Sequence, residues 1–397
     1  MPDGRDEPRL RLAEGVARLD ARAWDACAGA DNPFVSHDFL AALEESGSVG
    51  GRTGWRPCPL LLEDGAGGLL GAVPLYLKSH SSGEYVFDHG WADAYERAGG
   101  RYYPKLLAAV PFTPVPGPRL LVRPGPEAEA NRRRLAQGLV AAARQIGVSS
   151  LHVTFAEPAD AAALGAAGLM TRVGTQYHWR NAGYGSFEDF LAALSSRKRK
   201  MIRKEREAAR REGLRLKRLV GGEIKKQHWQ QFFRFYLDTG GRKWGRPYLT
   251  RAFFEAIGAR MSERVLLVMA EHDGSPVAGA LNLIGREALY GRNWGSDGAF
   301  KFLHFEACYY QAIEFAIENR LVRVEAGAQG EHKIARGYLP VETRSLHCIA
   351  DPRFAAAVAD FLRRETPAVE QERALLTEYS PFKCDGRQPA EEAPTAP

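Results

Sequence analysis

Helix-like and strand-like hydrophobic patterns alternate along almost the whole chain. In the first half, short apolar runs at 59–63, 69–78 and 150–155 predict strands, because turn residues such as glycine and proline separate them. A longer segment at 127–146 repeats its apolar positions with a helical period and predicts a helix. Strands and helices that alternate in this way indicate an α/β protein.

The second half repeats the same succession of elements. A predicted helix over 187–211 precedes predicted strands at 265–272, 276–284 and 288–294, which are joined by glycine-containing turns. A further long helix is predicted over 303–319. Because the two halves share this order of elements, we expect two α/β domains of similar kind.

The length of the chain and the break between its halves define the predicted domains. The chain has 397 residues, which is more than one typical domain contains. The pattern is interrupted near 181–186, so we predict an N-terminal domain over 1–183 and a C-terminal domain over 184–384. The tail over 385–397 is rich in Pro, Ala and Glu and is predicted to be disordered.

The composition indicates an ordinary globular protein in a reducing compartment. Hydrophobic residues make up 45% of the chain and charged residues 26%. The five cysteines are odd in number, widely spaced and free of any CxxC pair, which disfavours disulfides and zinc. No apolar run approaches the ~18 residues of a membrane span, and the charged N-terminus lacks the apolar core of a signal peptide. We therefore expect a cytoplasmic protein that uses no metal.

One short segment sets the sign of the protein's charge. The net charge is +6, whereas residues 197–218 alone carry +9, from twelve Lys or Arg against three Glu. Helical spacing places four arginines of this segment on one face: Arg199, Arg203, Arg206 and Arg210. They are predicted to form an exposed stripe that binds a polyanion. The alternative is a face that contacts only water, because the run lacks the aromatic residues that would stack on bases.

A dense group of polar side chains follows a short predicted strand at 322–325. Residues 327–338 contain an acid, an imidazole, an amide and two cations among several glycines. A loop that follows a buried strand is anchored by it, and such loops often carry function. The turn is therefore predicted to be a catalytic or ligand-binding element. The alternative is a polar hairpin whose charges are solvated.

Several short motifs carry a family resemblance. They lie at 32–36, 85–92, 102–106, 110–115, 196–200, 243–245, 304–306 and 327–333, the last reading GAQGEHK. In these motifs the chain resembles a group of predicted N-acyltransferases linked to peptidoglycan biosynthesis, which is related to the Fem-type aminoacyl transferases. The resemblance runs from residue 32 to residue 383. It implies an α/β fold of two tandem GNAT-like acyl-N-acyltransferase domains, with mixed sheets flanked by helices.

The resemblance also implies an activity. N-acyltransferases of this kind move an acyl or aminoacyl group from acyl-CoA or aminoacyl-tRNA to an amine on a small molecule or peptide, without a metal. In Fem-type enzymes a lysine before a Gly-aromatic pair assists the transfer, and Lys333, ahead of Gly337 and Tyr338, looks like its counterpart. The alternatives are a non-catalytic protein that binds tRNA or another nucleic acid with the same fold, and a scaffold.

Polar side chains in and next to this turn can be assigned roles in acyl transfer to an amine. The reaction needs a base for the amine, a donor for the carbonyl oxyanion and an acid for the leaving group. We predict that Glu325, Glu331 or His332 takes the proton. Lys333, expected on the surface, is predicted to hold the oxyanion, and the alternatives for this role are Arg336 or a backbone N–H near Gly327 or Gly330. Tyr338 or Tyr290 is predicted to protonate the leaving group. The alternatives are a surface salt bridge for Glu331 and a hydrogen-bonded, partly buried histidine for His332.

A group of residues in the second half is predicted to bind substrate around this turn: Arg292, His304, Glu306, Gln329 and Arg336. His304 and Glu306 begin the long helix. The resemblance implies that the donor pyrophosphate binds at such a helix start, where free N–H groups favour anions. The alternative is that Glu306 only balances the helix dipole.

A second predicted substrate-binding group lies in one long connection of the first half: Asp88, His89, Trp91, Arg101 and Lys105. Long structured connections often have a function. We expect these residues to line an acceptor cleft between the halves, with Arg101 or Lys105 on a phosphate or carboxylate. The alternative is a structural cluster that packs one domain on the other.

Overall fold

The computed structural model describes residues 7–211, 213–244, 247–298, 300–327 and 330–383. The helices in these ranges are α1 (Ala21–Ala28), α2 (His37–Glu45), α3 (His89–Arg97), α4 (Ala128–Ile146), α5 (Pro158–Ala166), α6 (Phe187–Ala193), α7 (Ser196–Arg211), α8 (Lys226–Trp244), α9 (Arg251–Arg260), α10 (Leu303–Phe305), α11 (Gln311–Glu318) and α12 (Pro352–Glu378). The strands are β1 (Arg9–Leu12), β2 (Trp55–Pro57), β3 (Leu60–Glu63), β4 (Leu69–Val73), β5 (Leu75–Lys78), β6 (Lys105–Ala108), β7 (Leu121–Val122), β8 (Ser150–Val153), β9 (Met170–Arg180), β10 (Leu214–Val220), β11 (Val265–His272), β12 (Ser275–Ile284), β13 (Ala288–Ser296), β14 (Arg323–Glu325) and β15 (Leu339–Ile349).

The chain forms two compact units, and neither is continuous in sequence. The first consists of Met1–Thr175, Arg246–Ser262 and Glu342–Gln371. The second consists of Gln176–Gly245, Glu263–Val341 and Glu372–Pro397. The hydrophobic pattern did not reveal these returns of the chain. The domain boundary at 183/184 stays a prediction, and the predicted disordered tail lies outside the described residues.

The first unit contains two groups of paired strands. β1, β3, β4 and β7 form an antiparallel sheet in that order. β15, β8, β6, β5 and β2 are paired in that order, with β6 parallel to β8 and the other pairs antiparallel. The apolar face of α4 buries Leu135, Ala136 and Leu139 in the same core as Leu60 and Leu151. This is the face that the helical period of 127–146 predicts.

The second unit is built on the strand order β10, β11, β12, β13, β14, β9. β13 and β14 are parallel, because the chain crosses between them through α10 and α11. The register pairs Leu289 with Val324 and Tyr290 with Glu325. The core strand β14 therefore ends beside β13, and this fixes where the turn predicted to be functional begins.

The long helix predicted over 303–319 is confirmed, but it is not regular. A π-helical turn, Glu306–Tyr310, separates α10 from α11. On its inner side α11 buries Ala312, Ile313 and Ala316 in the core. Single π-helical turns often occur at functional sites, and this one contributes Glu306, Tyr309 and Tyr310 to the region described below.

The described side chains also bear on disulfides, metals and membranes. Cys27, Cys58, Cys308 and Cys348 form no disulfide within the described ranges. Within the described ranges, no group of three or more His, Cys, Asp or Glu side chains is arranged to hold a metal ion. None of the helices in those ranges has the length and hydropathy required to span a membrane.

A glycine on β13 allows α8 to pack closely against this strand. A Cβ atom on Gly295 would lie 2.3 Å from the carbonyl carbon of Phe235 in α8. Backbone atoms cannot move aside as a flexible side chain can, so a methyl group here would push the helix from the sheet. Gly295 is thus required by packing and not by backbone conformation.

We expect Gly295→Ala to lower the free energy of unfolding by about 1–3 kcal/mol, the usual cost of overpacking a core. Urea denaturation monitored by circular dichroism measures this. Gly90→Ala, at a helical position of α3 with no atom within 4 Å of the new Cβ, is the matched control and should be neutral or slightly stabilising. Equal effects of the two substitutions would contradict the packing argument.

Candidate functional site

The polar turn after β14 is anchored at both ends. It contains the 3-10 helix Glu331–Arg336, in which the Lys333 amide donates to the Gly330 carbonyl at 3.0 Å. Gly337 ends it with φ 92°, a conformation that favours glycine. Its α-carbon also lies close to the Phe190 ring, which would be 3.0 Å from a Cβ atom. The predicted binding residue Gln329 lies outside the described residues.

Lys333 is buried in this turn, which corrects the expectation of an exposed lysine. It is 3% exposed, and its Nζ donates to the Gly327 carbonyl at 2.9 Å. Its ammonium also lies 5.8 Å from the centre of the Tyr177 ring. No carboxylate of the described chain forms a salt bridge with it. Burial lowers the pKa of Lys333 from 10.5 to about 8.

His332, the neighbour of Lys333, forms a pair with a tyrosine of the π-helical turn. Its Nε2 lies 3.0 Å from the hydroxyl oxygen of Tyr309. Partial burial, together with the charges of Arg336 and Lys333, lowers the pKa of His332 below 6.5. The imidazole is therefore neutral at pH 7, while the side chain stays exposed. A neutral, accessible imidazole can accept a proton.

The two acids of the predicted catalytic group have different surroundings. Glu331 is exposed and forms no hydrogen bond or salt bridge within the part of the chain that the structure describes. Glu325 is buried at the end of β14 and accepts a hydrogen bond from Arg323 Nε at 2.9 Å. Its second oxygen lies 3.7 Å from His178 Nε2 and accepts no hydrogen bond from the described residues. Only Glu331 is open to solvent.

Tyr338 lies in the core rather than at the surface of the turn. It is fully buried, and its hydroxyl donates to the Tyr309 carbonyl at 3.3 Å. Burial raises the pKa of Tyr338 well above 10. The hydroxyl thus already has an acceptor, and this arrangement favours a structural role. Proton donation by Tyr338 stays a prediction.

Arg336 is buried, although it was predicted to bind substrate. Its guanidinium forms a two-point ion pair with Glu205, with Nη2 at 2.7 Å from Oε1 and Nε at 3.2 Å from Oε2. The guanidinium carbon also lies 3.4 Å from the centre of the Phe305 ring. Its remaining nitrogen, Nη1, donates to the His332 carbonyl at 2.7 Å. Arg336 therefore holds the turn in place from within.

The exposed arginine stripe predicted on α7 is not formed as expected. Arg206 is only 8% exposed, because it turns inward to Glu306, with Nη2 to Oε1 at 2.9 Å, and to Glu314 at 2.9 Å. Glu306 is itself buried. Arg206 and Glu306 were both predicted to bind a ligand, and in the structure they bind each other. Arg203 and Arg210 are exposed, and Arg199 is half-buried. Polyanion binding by these arginines stays a prediction.

A different face of α7 lines a concave surface. We call this the basic groove: an open groove of about 590 Å³ formed by Arg197, Lys200, Met201, Lys204, Glu205, Ala208, Lys301 and Phe302. Arg197, Lys200 and Lys204 form no salt bridge with any described residue. Their spacing of three and four residues is visible in the sequence, but Lys301 joins them only through the fold. Sequence reasoning missed this groove for that reason.

The other predicted binding residues of the second unit lie near the π-helical turn or on β13. The His304 ring packs edge-on against Trp294 at 5.4 Å and Tyr309 at 5.3 Å. Arg292 is half-buried on β13. The centres of the His304 and His332 rings are 6.4 Å apart. His304 thus belongs to the same aromatic group as the His332–Tyr309 pair.

In the first unit, Asp88 and Lys105 form a buried ion pair and do not line an open cleft. The Nζ of Lys105, which is 0% exposed, donates to Ser81 Oγ and Glu84 Oε2, both at 2.8 Å, and to Asp88. Tyr102 donates to Asp88 at 2.7 Å. Burial raises the pKa of Asp88, but Lys105 outweighs this and the pKa lies below its ordinary range. Buried ion pairs of this kind are typical of a cluster that stabilises the fold, which was the alternative to substrate binding.

The remaining members of that predicted group separate into core and surface. Trp91 is buried and packs edge-on against His347 at 4.9 Å. His347 in turn contacts His152, and the Nδ1 atoms of the two rings lie 2.7 Å apart. His89 and Arg101 are exposed. The pairing of His152 with His347 joins residues 195 positions apart, and no sequence signal indicates it.

A family model for peptidoglycan biosynthesis/recognition, named FemAB-like, matches residues 15–384. The chain belongs to the FemAB-like family. FemX has a similar structure, with 11% identity, 89% of this chain and 100% of FemX covered, and a TM-score of 0.53. The C-terminal domain of a protein assigned as a lysylphosphatidylglycerol synthetase from Agrobacterium fabrum also aligns, with 12% identity, coverage of 86% and 95%, and a TM-score of 0.51.

These similarities bear on the fold. The sequence matches no curated protein. At 11% and 12% identity the two structures share a fold with this FemAB-like chain, and their activities do not transfer to it on that ground. The predicted fold class and the predicted relationship to Fem-type proteins are confirmed.

Proposed function

We propose that this FemAB-like protein is an N-acyltransferase that moves an acyl or aminoacyl group from acyl-CoA or aminoacyl-tRNA to an amine of a small molecule or peptide. One observation carries the proposal: Lys333 is a buried cation that has no carboxylate partner among the described residues and is held by the Gly327 carbonyl in an anchored turn. A buried charge is costly unless something compensates for it. A group that becomes negative during the reaction would supply that compensation.

Lys333 acts as the donor that stabilises the oxyanion. When the amine nitrogen attacks the carbonyl carbon, the carbonyl oxygen becomes negative, and the carbon–sulfur or carbon–oxygen bond to the carrier then breaks. A fixed cation in a water-poor site lowers the energy of the charged intermediate far more than a cation in water. The pKa of about 8 leaves Lys333 mainly protonated at pH 7, as this role requires.

The His332–Tyr309 pair removes the proton from the attacking amine. The imidazole is neutral at pH 7 because its pKa lies below 6.5, and it is the accessible base nearest in sequence to Lys333. Tyr309 lies 3.0 Å from Nε2 and fixes the orientation of the ring. The proton that His332 takes up can later pass to the leaving thiolate of CoA or the leaving ribose alkoxide of tRNA, which balances the reaction.

The basic groove holds the phosphates of the carrier. Both carriers are rich in phosphate, and Arg197, Lys200 and Lys204 offer charges that no described carboxylate neutralises. The cations therefore favour an anionic ligand with several charges. Since acyl-CoA and charged tRNA are cytoplasmic compounds, the proposal places the reaction in the cytoplasm.

The transfer rate is expected to follow a bell-shaped pH profile. Neutral His332 is lost as the pH falls through its lowered pKa, below 6.5. The Lys333 ammonium is lost as the pH rises through about 8. Lys333→Arg keeps its charge to much higher pH, so the alkaline limb should move upward while the acidic limb stays in place. The pH–rate profiles of the wild type and of Lys333→Arg test this. An alkaline limb at the same pH in both proteins would show that it is not caused by loss of the Lys333 proton.

Discharge of donor tests the proposed function. Purified protein is mixed with an amine mixture and either acetyl-CoA or aminoacyl-tRNA, and the release of free thiol or uncharged tRNA is followed. We expect amine-dependent discharge of one of the two donors. Binding without discharge of either donor would support the alternative of a non-catalytic binding protein.

Charge reversal in the groove tests the donor site. Lys200→Glu/Lys204→Glu should weaken donor binding by about tenfold or more and flatten its salt dependence, since two phosphate contacts are lost. Arg203→Glu/Arg210→Glu makes the same change of charge on the exposed part of the predicted stripe, and it serves as the control for the competing prediction that the stripe binds the polyanion. If the control weakens binding as much as the groove variant does, the groove is not the donor site.

A further inference from the structure

Glu205 lies between the basic groove and the turn that carries Lys333. It is one of the residues that line the groove, together with Lys200 and Lys204. Yet it is only 6% exposed, because its carboxylate points toward the interior of the unit. It therefore lines the groove that carries these cations, while its carboxylate binds the buried cation Arg336.

The inner side of Glu205 is fully engaged. Arg336 binds both carboxylate oxygens, at 2.7 Å and 3.2 Å, and the Tyr310 hydroxyl donates to Oε2. A two-point guanidinium–carboxylate pair fixes direction as well as distance. Glu205 thus connects α7 to the turn, through Arg336, and to the π-helical turn, through Tyr310.

Arg336 passes this connection to the reacting side chains. Its third nitrogen donates to the His332 carbonyl at 2.7 Å, so a shift of Arg336 moves the backbone of His332 and, one residue on, Lys333. The guanidinium carbon of Arg336 also lies 3.4 Å from the centre of the Phe305 ring, on which it packs. The contacts form one unbroken series from a groove residue to the residues to which the transfer is assigned.

We propose that Glu205 is a positioning residue through which a phosphate ligand in the basic groove tightens the turn 331–338. In the empty groove, Glu205 is attracted both by the groove cations and by Arg336. A bound anion neutralises the groove cations, so the pull of Glu205 toward Arg336 becomes dominant. Arg336 then holds the His332 carbonyl more firmly. The inference rests on the proposed donor site, and it makes the geometry of the turn depend on donor binding.

Hydrogen exchange of backbone amides tests this without requiring turnover. The probes are coenzyme A in one arm and uncharged tRNA in the other. Binding of one probe to the wild-type protein should slow exchange of the 331–338 amides by about fivefold or more, the range of ordinary coupling between sites. Glu205→Gln should still bind the probe but lose this slowing, because the neutral amide no longer holds Arg336 by charge.

Glu207→Gln is the matched control, since Glu207 is an exposed glutamate of the same helix that pairs with Arg211. It should retain the full effect. If Glu205→Gln fails to fold, Tyr310→Phe removes one contact to Glu205 and should reduce the slowing. Equal slowing in the wild type and in the Glu205 or Tyr310 variant would overturn the coupling alone. Absence of probe binding to the wild type would overturn it together with the donor site, whereas tight coupling without transfer would contradict only the proposed function.

Discussion

Replacing Lys333 by methionine is expected to lower the rate of acyl transfer by about 10²–10³-fold, the usual loss when one oxyanion donor is removed. Methionine keeps most of the buried stem and removes the charge together with one hydrogen bond to the Gly327 carbonyl, so the turn should stay folded. The KM for the donor should change little, because the interaction is made chiefly in the transition state. The donor-discharge assay under saturating donor gives the rate.

The loss has to be separated from a general effect of removing a lysine. Lys217→Met removes an exposed lysine of the same unit, whose surface pair with Glu271 contributes little, and its rate should equal that of the wild type. The unfolding free energy of Lys333→Met should fall much less than its activity. Near-normal turnover of Lys333→Met, with Glu331→Gln equally active, would place the chemistry elsewhere.

Replacing Lys105 by methionine is expected to destabilise the first unit by about 3–5 kcal/mol, the cost of leaving a buried charge without its partner. Glu84 and Asp88 both accept hydrogen bonds from Lys105 and are themselves buried. Without it, one of the two carboxylates must take up a proton or draw in water. Urea denaturation at pH 7 measures the change in unfolding free energy.

Arg11→Met provides the comparison within the same unit. Arg11 pairs with Glu63 at 2.7 Å, but its side chain is 51% exposed, so its loss should cost less than about 1 kcal/mol. If Lys105→Met costs no more than Arg11→Met, the ion pair is not a stabilising element. The prediction that Asp88 and Lys105 bind substrate would then become the better explanation of their presence.

Local sequence patterns predicted most of the elements. The period of 127–146 gave the buried face of α4, and the apolar runs between 265 and 294 gave β11, β12 and β13. Such patterns depend on each segment burying one face, which is a property of the segment itself. The turn after β14 was also predicted, because its polar residues and glycines follow a short segment that was predicted to be a strand.

Burial of charged residues could not be predicted in the same way. Arg206 turns inward because Glu306, 100 residues away, is there to meet it. Lys105 is buried among partners 17 to 24 residues away, at Ser81, Glu84 and Asp88. Lys333 bonds within its own turn, to Gly327, but Tyr177 from a distant strand also lies against its ammonium. The discontinuous units and the contribution of Lys301 to the basic groove depend likewise on contacts between distant segments.

The measurement that most directly tests the location of the chemistry is affinity labelling with a donor that carries an alkylating carbon at the position of its acyl group. Bromoacetyl-CoA and bromoacetyl-aminoacyl-tRNA are suitable probes, and mass spectrometry identifies the modified residue. The account predicts that His332 or Lys333 is alkylated by one of the probes. The corresponding acetyl compound, which lacks the bromine and cannot alkylate, should prevent this labelling by competing for the site. Labelling confined to other residues, or labelling of the turn that the analogue does not prevent, would contradict the account.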